Sequence, residues 1–346
     1  MDRKRALLVR FGAIGDVIMV IPVAHELVRR GFEIDWLCGT GVQPLLECYS
    51  WVKSHPVNEA AILTGSTWQR ARTVAGVWSS LLGRRYDLCA TLYYDQRYLA
   101  LTLPVRARRK VRLSQRSRAA TLLAGRSYTD EFARIVLGIE DGPSNTSLSP
   151  KRPDCLPPSP LPEKNALRRV ALIPGGASNL RAQQILKRWP VEFYVSLAKN
   201  LLQRGWEVLL VGGPDDTWVL PSFAELNVRN CIGKLSLSQV ISVCDTCDVV
   251  VSHDTGPMHL AGLSRARLVG LFGPTDPGNF LPRRPGVIGL WGGQGYACRP
   301  CYNGRGFAPC QSAGCMREIS PDLVLEQLDR LLQSDCLEAK TVSFTA

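Results

Sequence analysis

A chain of 346 residues, 45% of them hydrophobic, holds two α/β domains of about 150 residues each with apolar content enough for two cores. No stretch reaches the ~20 uninterrupted apolar residues of a membrane helix; the basic start Arg3-Lys4-Arg5 before Ala6 to Val9 is broken by Arg10 and Asp16 with no small-residue cleavage site, so strand plus helix explains the pattern better than a secretory signal and a cytoplasmic protein is predicted. The formal net charge is +12, with residues 1–150 holding 21 Lys/Arg against 13 Asp/Glu, which points to an acidic partner.

The first unit reads as βα repeats. Ala6 to Arg10 is a strand, Gly12 to Asp16 a loop, Val17 to Arg30 a helix and Glu33 to Cys38 a strand. Ala75 to Leu82 has helical character, Tyr86 to Leu92 is extended, and Thr129 to Leu137 again carries helical apolar spacing. Such alternation predicts a parallel sheet with helices on both faces. Between them, Arg106, Arg108, Arg109, Lys110, Arg112, Arg116, Arg118 and Arg126 have no intervening acid. The run lacks the interleaved aromatics and the recognised modules of nucleic-acid binding. An acidic glycolipid at an anionic membrane surface fits it, and a plain solvated basic face is the alternative.

From Asp141 to Lys164 prolines and serines dominate, in a stretch that cannot build a sheet or helix of its own and therefore reads as a linker. The predicted organisation is a first domain over residues 1–150, a proline-rich linker over 151–165, a second domain over 166–320 with a cysteine-rich segment at 298–315, and a C-terminal helix and tail over 321–346.

The second unit starts with a strand over Arg169 to Ile173 that runs into Pro174-Gly175-Gly176-Ala177-Ser178. A helix over Val191 to Arg204, a strand over Glu207 to Val211 ending in Gly212-Gly213-Pro214, and a helix over Ser238 to Cys244 follow. Next, an apolar strand over Asp248 to Ser252 meets His253-Asp254-Thr255-Gly256-Pro257-Met258-His259. This is how a phosphate pocket is built: unpaired N–H groups of a first helical turn, partial positive charge from the helix dipole, and a glycine that lets an anion approach. Asp254 and Thr255 could equally cap the helix that Pro257 opens. A further strand over Arg267 to Phe272 ends in Gly273-Pro274-Thr275-Asp276. Ligands of open α/β sheets bind beyond such carboxyl ends. Neither first loop reads G-x-G-x-x-G, which argues against dinucleotide redox chemistry.

Twelve cysteines are many for reducing cytosol. Most are scattered, and Cys244 and Cys247 form a C-x-x-C outside any thioredoxin-like context. Cys298, Cys301, Cys310 and Cys315 differ: their spacing, with glycines between, suits a tetrahedral structural Zn or Fe site, with a disulfide pair as the alternative.

These segments together resemble the heptosyltransferases of glycosyltransferase family 9. The residues that carry the resemblance are LLVRFGAIGDVIMVIPV, IPGGAS followed by Lys187-Arg188-Trp189-Pro190, VLLVGGPDD, VSHDTGPMHLAG, LFGPTDP and CMREISPDLVLEQL, spread from residue 7 to about residue 328 in the family's order. The resemblance implies the GT-B fold, two Rossmann-like domains facing a central cleft, with the first domain binding acceptor and the second the nucleotide sugar. It implies an inverting transferase that moves heptose from ADP-heptose to a lipopolysaccharide inner-core acceptor, a lipid A core glycolipid at the inner membrane surface, with no cofactor required for catalysis. Glycosylation of a protein, or epimerisation of a nucleotide sugar, are the alternatives.

By direct match, Asp16 takes the place of the family's catalytic aspartate; by itself it reads equally as a cap on the helix at Val17. Lys187 matches the diphosphate-binding lysine. Gly175 and Ser178 belong to the first loop of the second domain, Lys187 standing nine positions after Ser178, a departure from the common family spacing. Thr255 and Gly256 match phosphate contacts, Asp254 a contact to sugar hydroxyls or pocket architecture, and His259 a donor toward phosphate. The four-cysteine segment is similar in outline to the iron finger of autotransporter heptosyltransferases.

Overall fold

The computed structural model describes residues 3–93, 95–113, 126–138, 148–164, 168–179, 182–303, 306–333 and 340–343. Arg116, Arg118, Gly304, Cys336 and residues 141–147 and 165 of the proline-rich stretch lie outside the described residues. The chain divides into two compact units, Met1–Cys155 and Leu156–Ala346.

In the first unit, β1 (Lys4–Val9), α1 (Ile14–Arg29), β2 (Phe32–Gly39), α2 (Gln43–Leu46), β3 (Val52–Val57), α3 (Glu59–Leu63), α4 (Thr67–Leu81), β4 (Arg85–Thr91), α5 (Gln96–Leu101), β5 (Arg106–Arg112) and α6 (Tyr128–Leu137) follow in order. The parallel sheet has the strand order β3-β2-β1-β4-β5. Its central strand is apolar and buried from Ala6 to Val9, as a strand covered on both faces must be. The two edge strands are the ones that periodicity does not reveal. Val52–Val57 and Arg106–Arg112 (RARRKVR) are half or mostly exposed, so backbone pairing, not apolar alternation, makes them strands.

Two helices begin earlier than their apolar spacing suggests. α4 starts at a capping box in which the Ser66 hydroxyl accepts from Gln69 N and the Gln69 side chain accepts from Ser66 N at 2.8 Å, supplying partners for donors a first turn leaves orphaned. α1 opens at Ile14, not Val17, which puts Asp16 in its first turn; the N-cap position is Ala13, and no side chain caps the helix.

The second unit comprises β6 (Arg169–Ile173), a short ribbon of β7 (Ser178–Asn179) and β8 (Ala182–Gln183), α7 (Val191–Gln203), β9 (Glu207–Leu210), β10 (Arg229–Asn230), α8 (Leu237–Asp245), β11 (Val249–His253), α9 (Gly256–Gly262), β12 (Arg267–Phe272), α10 (Pro277–Phe280), β13 (Val287–Trp291), α11 (Gly314–Arg317), α12 (Pro321–Gln333) and β14 (Lys340–Ser343). Its parallel sheet has the order β10-β9-β6-β11-β12-β13-β14. Counted from its own first strand this repeats the 3-2-1-4-5 order of the other unit, and in each the order reverses beside that first strand. That reversal opens a crevice at the carboxyl ends of the strands.

The core of the second unit is anchored by Trp189, fully buried, edge-on to Tyr194 at 4.7 Å, its indole N–H donating to Ile319 O at 2.8 Å. The described part of the proline-rich stretch is tied down on each side of the division. Asp154 accepts from Ser50 N and Oγ; past the division, Ser242 Oγ donates to Pro157 O at 2.6 Å and Lys164 pairs with Asp248 at 2.9 Å.

Candidate active site

In the second unit the site forms where β6 and β11 part. The turn after β6 needs glycine twice. Gly176 has φ +84°, and a Cβ there would lie 2.5 Å from Thr255 Oγ1; a Cβ on Gly175 would strike the Asp216 carboxyl carbon at 2.3 Å. Both close approaches are used: Asp216 accepts from Gly176 N at 2.6 Å and from Gly213 N at 2.8 Å, and Thr255 Oγ1 accepts from Ala177 N at 2.8 Å. Asp216 thus fastens two glycine loops together. Thr255, the N-cap residue of α9, makes no capping hydrogen bond. Its hydroxyl is committed as acceptor to Ala177, which leaves its proton free to donate.

Lys187 ends a 3-10 turn (Ile185–Lys187) just ahead of the Trp189 anchor. Its ammonium sits 2.8 Å from Asp254 Oδ2, with the two side chains 12% and 4% exposed, and lies 5.3 Å and 5.9 Å from the ring centroids of Phe280 and Tyr302. Thr275 donates to the same carboxylate at 2.8 Å. Burial alone would raise the Asp254 carboxyl, but Lys187, the His259 imidazole and the Thr275 hydroxyl outweigh it and hold it below the ordinary carboxylate range. Behind this pair, burial pushes the His253 imidazole down to about 3. The ring is therefore neutral. Tyr194 lies 3.1 Å from its Nδ1 and accepts from His253 N at 3.2 Å, while Nε2 has no partner among the described residues.

Gly175, Lys187, Asp254, Thr255, Gly256 and His259 thus gather on adjoining loops and the first turns of one helix. Ser178 does not join them: it is exposed on the two-residue β7–β8 ribbon.

In the first unit Asp16 stands beside the carboxyl end of β1, where β1 and β4 part. Its Oδ2 is bound by the guanidinium of Arg10, with side chains 28% and 8% exposed respectively. Arg10 also donates to Leu92 O and lies 4.3 Å from the Tyr93 ring centroid. Burial alone would lower this guanidinium, yet Asp16 more than compensates and raises it. Tyr93 in turn accepts from Gly12 N at 3.0 Å, fixing the β1–α1 turn.

Sequence reasoning missed Arg10, Thr275 and Asp216. The signal for Arg10 was a lone cation closing an otherwise apolar buried strand six residues before Asp16; Thr275 and Asp216 sat in plain view within the G-P-T-D and G-G-P-D-D loops.

The four cysteines of the C-terminal segment are not brought together as a closed ligand set among the described residues. Among the described residues, no three His, Cys, Asp or Glu side chains form a group that could hold a metal ion. Cys298 and Cys310 are exposed, and Cys310 Sγ accepts from Ala313 N at 3.4 Å. Cys315 is packed inward, its Sγ so near Gly273 that a Cβ there would lie 2.7 Å away.

Residues 160–305 match the model of glycosyltransferase family 9 (heptosyltransferase). Lipopolysaccharide heptosyltransferase 2 of Salmonella typhimurium is 33% identical over 159 residues, 43% of this chain and 44% of the relative, so the chain spans less than half of that protein's length in the match. Lipopolysaccharide heptosyltransferase 1 of Pseudomonas aeruginosa is 27% identical over 363 residues, 95% of this chain and 98% of the relative. The structure of E. coli ADP-heptose lipopolysaccharide heptosyltransferase II superposes with a TM-score of 0.67 at 20% identity, covering 95% of this chain and 98% of that one. The fold is therefore GT-B, built from two Rossmann-like units. Over residues 160–305 the chain is thus similar to glycosyltransferase family 9, and along its whole length it shares the fold of a solved heptosyltransferase.

Proposed function

We propose that this chain is an inverting glycosyltransferase that moves heptose from ADP-heptose to an acceptor of the lipopolysaccharide inner core, the second unit holding the donor and the first the acceptor. The observation that carries the reading is the nearly buried Lys187–Asp254 pair at the strand reversal of the second unit. A cation held there, already neutralised by one carboxylate, meets a diphosphate whose charge grows as the glycosidic bond breaks. The Thr255 hydroxyl proton and the N–H of Gly256 supply further donors to phosphate, and His259 stands beside Asp254 to bind either phosphate or sugar.

In the reaction the acceptor hydroxyl oxygen attacks the anomeric carbon, the bond to the diphosphate oxygen breaks with its electron pair leaving on ADP, and the hydroxyl proton passes to Asp16. Arg10 occupies Oδ2 of that carboxylate, so Oδ1 is the oxygen left to receive the proton. The acceptor is lipid-linked, which places the enzyme at the inner membrane surface during turnover.

Purified protein supplied with ADP-heptose and a heptose-free core acceptor should release ADP with formation of glycosylated product. Release of a new nucleotide sugar without acceptor would make it an epimerase; stabilisation by UDP- or GDP-sugars but not ADP-heptose in a thermal-shift screen would remove the donor assignment.

A further inference from the structure

The outer face of α4 carries a second apolar stripe that the core does not use. Val77 and Leu81 are buried, yet Trp68, Ala71, Ala75 and Trp78, continued by the C-cap Leu82, recur at spacings of three and four and are all exposed. Trp68 is 67% exposed and Leu82 78%. Trp78 ties this stripe to the next helix by donating its indole N–H to Ala100 O at 3.0 Å, and just beyond that helix Leu103 is 63% exposed. So large a set of open apolar side chains on one helical surface marks a place where something else docks.

Charge identifies the occupant. From residue 60 to residue 86 the chain has no acid but carries Arg70, Arg72, Arg84 and Arg85, and from 96 to 129 again no acid. In that second stretch Arg106, Arg108, Arg109, Lys110 and Arg112 are exposed on β5, which pairs with β4. Arg72 stands over the Trp68 ring at 5.3 Å, and Arg70 donates to Leu63 O at 3.3 Å, so the cations flank the stripe. Of these cations Arg84 pairs with Asp35 at 3.4 Å and Arg108 with Asp87 at 3.5 Å, which leaves the surface strongly cationic. A second copy of this face would bring two cationic surfaces together, and a coiled-coil partner would need acids at the flanks. An anionic bilayer offers both an interface for tryptophan and leucine and negative headgroups for arginine.

We infer that α4, with Leu103 and β5, is the surface by which the protein lies on an anionic membrane, its indoles and Leu82 entering the headgroup layer. The inference gives a concrete surface to the lipid-linked acceptor proposed above, but it stands on exposure and charge and is tested apart from turnover.

Vesicles of mixed phosphatidylglycerol and phosphatidylcholine should sediment the full chain, with binding weakened by salt; pure phosphatidylcholine vesicles should bind far less. Leu82→Glu with Leu103→Glu, and separately Arg70→Glu with Arg72→Glu, should each lower partitioning roughly tenfold or more. Unchanged thermal melting and unchanged transfer to a soluble, delipidated acceptor would show that the fold and the site are intact. Brominated lipid should quench tryptophan emission in the wild type and less so in Trp68→Phe/Trp78→Phe. Equal binding of wild type and both double variants, or no binding to anionic vesicles, overturns the inference; so does a concentration-dependent dimer that Leu82→Glu dissolves, which would assign the face to a second copy. Vesicle binding without any transferase turnover would remove the enzymatic reading and leave this surface standing.

Discussion

Each unit closes its strand reversal with one charged pair, but the pairs are built in opposite senses. In the first unit the cation is the inner member, Arg10 at 8% against Asp16 at 28% exposure; in the second the carboxylate is inner, Asp254 at 4% against Lys187 at 12%. The more accessible member of each pair is the one whose chemistry the proposed reaction needs, an acceptor for a proton in one unit and a cation for a leaving group in the other. The inner member neutralises and orients its partner. The same Rossmann scaffold thus presents opposite charges, depending on which residue the buried strand end supplies.

The sharpest way to break this comparison is Asp16→Asn. Loss of a general base costs on the order of 10²- to 10⁴-fold in turnover, while ADP affinity, which the proposed function assigns to the second unit, should remain as in the wild type by calorimetry. Retained turnover would end Asp16's role.

The second test is Lys187→Met. It strands Asp254 without its cation, and removal of one member of a buried pair costs about 3–5 kcal/mol. The melting temperature and ADP affinity should both fall. Adding Asp254→Asn should recover much of the stability but none of the ADP binding, which separates neutralisation from ligand contact.

A buried carboxylate away from either strand reversal supplies the control. Asp35 on β2 accepts from Tyr86 OH at 2.9 Å and pairs with Arg5 and His55 at 2.8 Å. Burial opposes its ionisation, but His55, Tyr86 and Arg5 prevail and hold it at about 2. A carboxyl depressed in the folded state stabilises above its unfolded pKa and loses that contribution as pH falls through the folded value. Asp35→Asn should therefore cost about 2 kcal/mol at neutral pH and flatten the stability loss between about pH 4 and pH 2. Turnover and ADP binding should not change, and a loss of ADP affinity would show that the units are not energetically separable.

The smallest effect belongs to Thr275→Val, which removes one hydrogen bond to Asp254. A loss of about 1 kcal/mol in stability and a several-fold weaker ADP affinity are expected in denaturant titration and calorimetry.

Much of this was legible beforehand. The central strands showed as apolar runs, and Arg169–Ile173 and Arg267–Phe272 fall where their periodicity put them. The edge strands were hidden, because Val52–Val57 and Arg106–Arg112 take their conformation from a neighbour's backbone. In the site, residues inside a glycine-bearing motif could be read, whereas their supports could not. Thr275 reaches Asp254 across 21 positions and Asp216 reaches Gly176 across 40; no local spacing encodes such meetings. In the cysteine segment the spacing suggests a closed ligand set, whereas what packing determines is local: Cys315 lies against Gly273.

The Trp189 indole, two residues past Lys187, rests on the carbonyl of Ile319, 130 positions further along. A fragment ending near residue 317 would retain every residue proposed to contact the donor and still lose the peg that seats the lysine. Trimmed expression versions and C-terminal fusions should therefore keep the chain through Gln333, the end of α12.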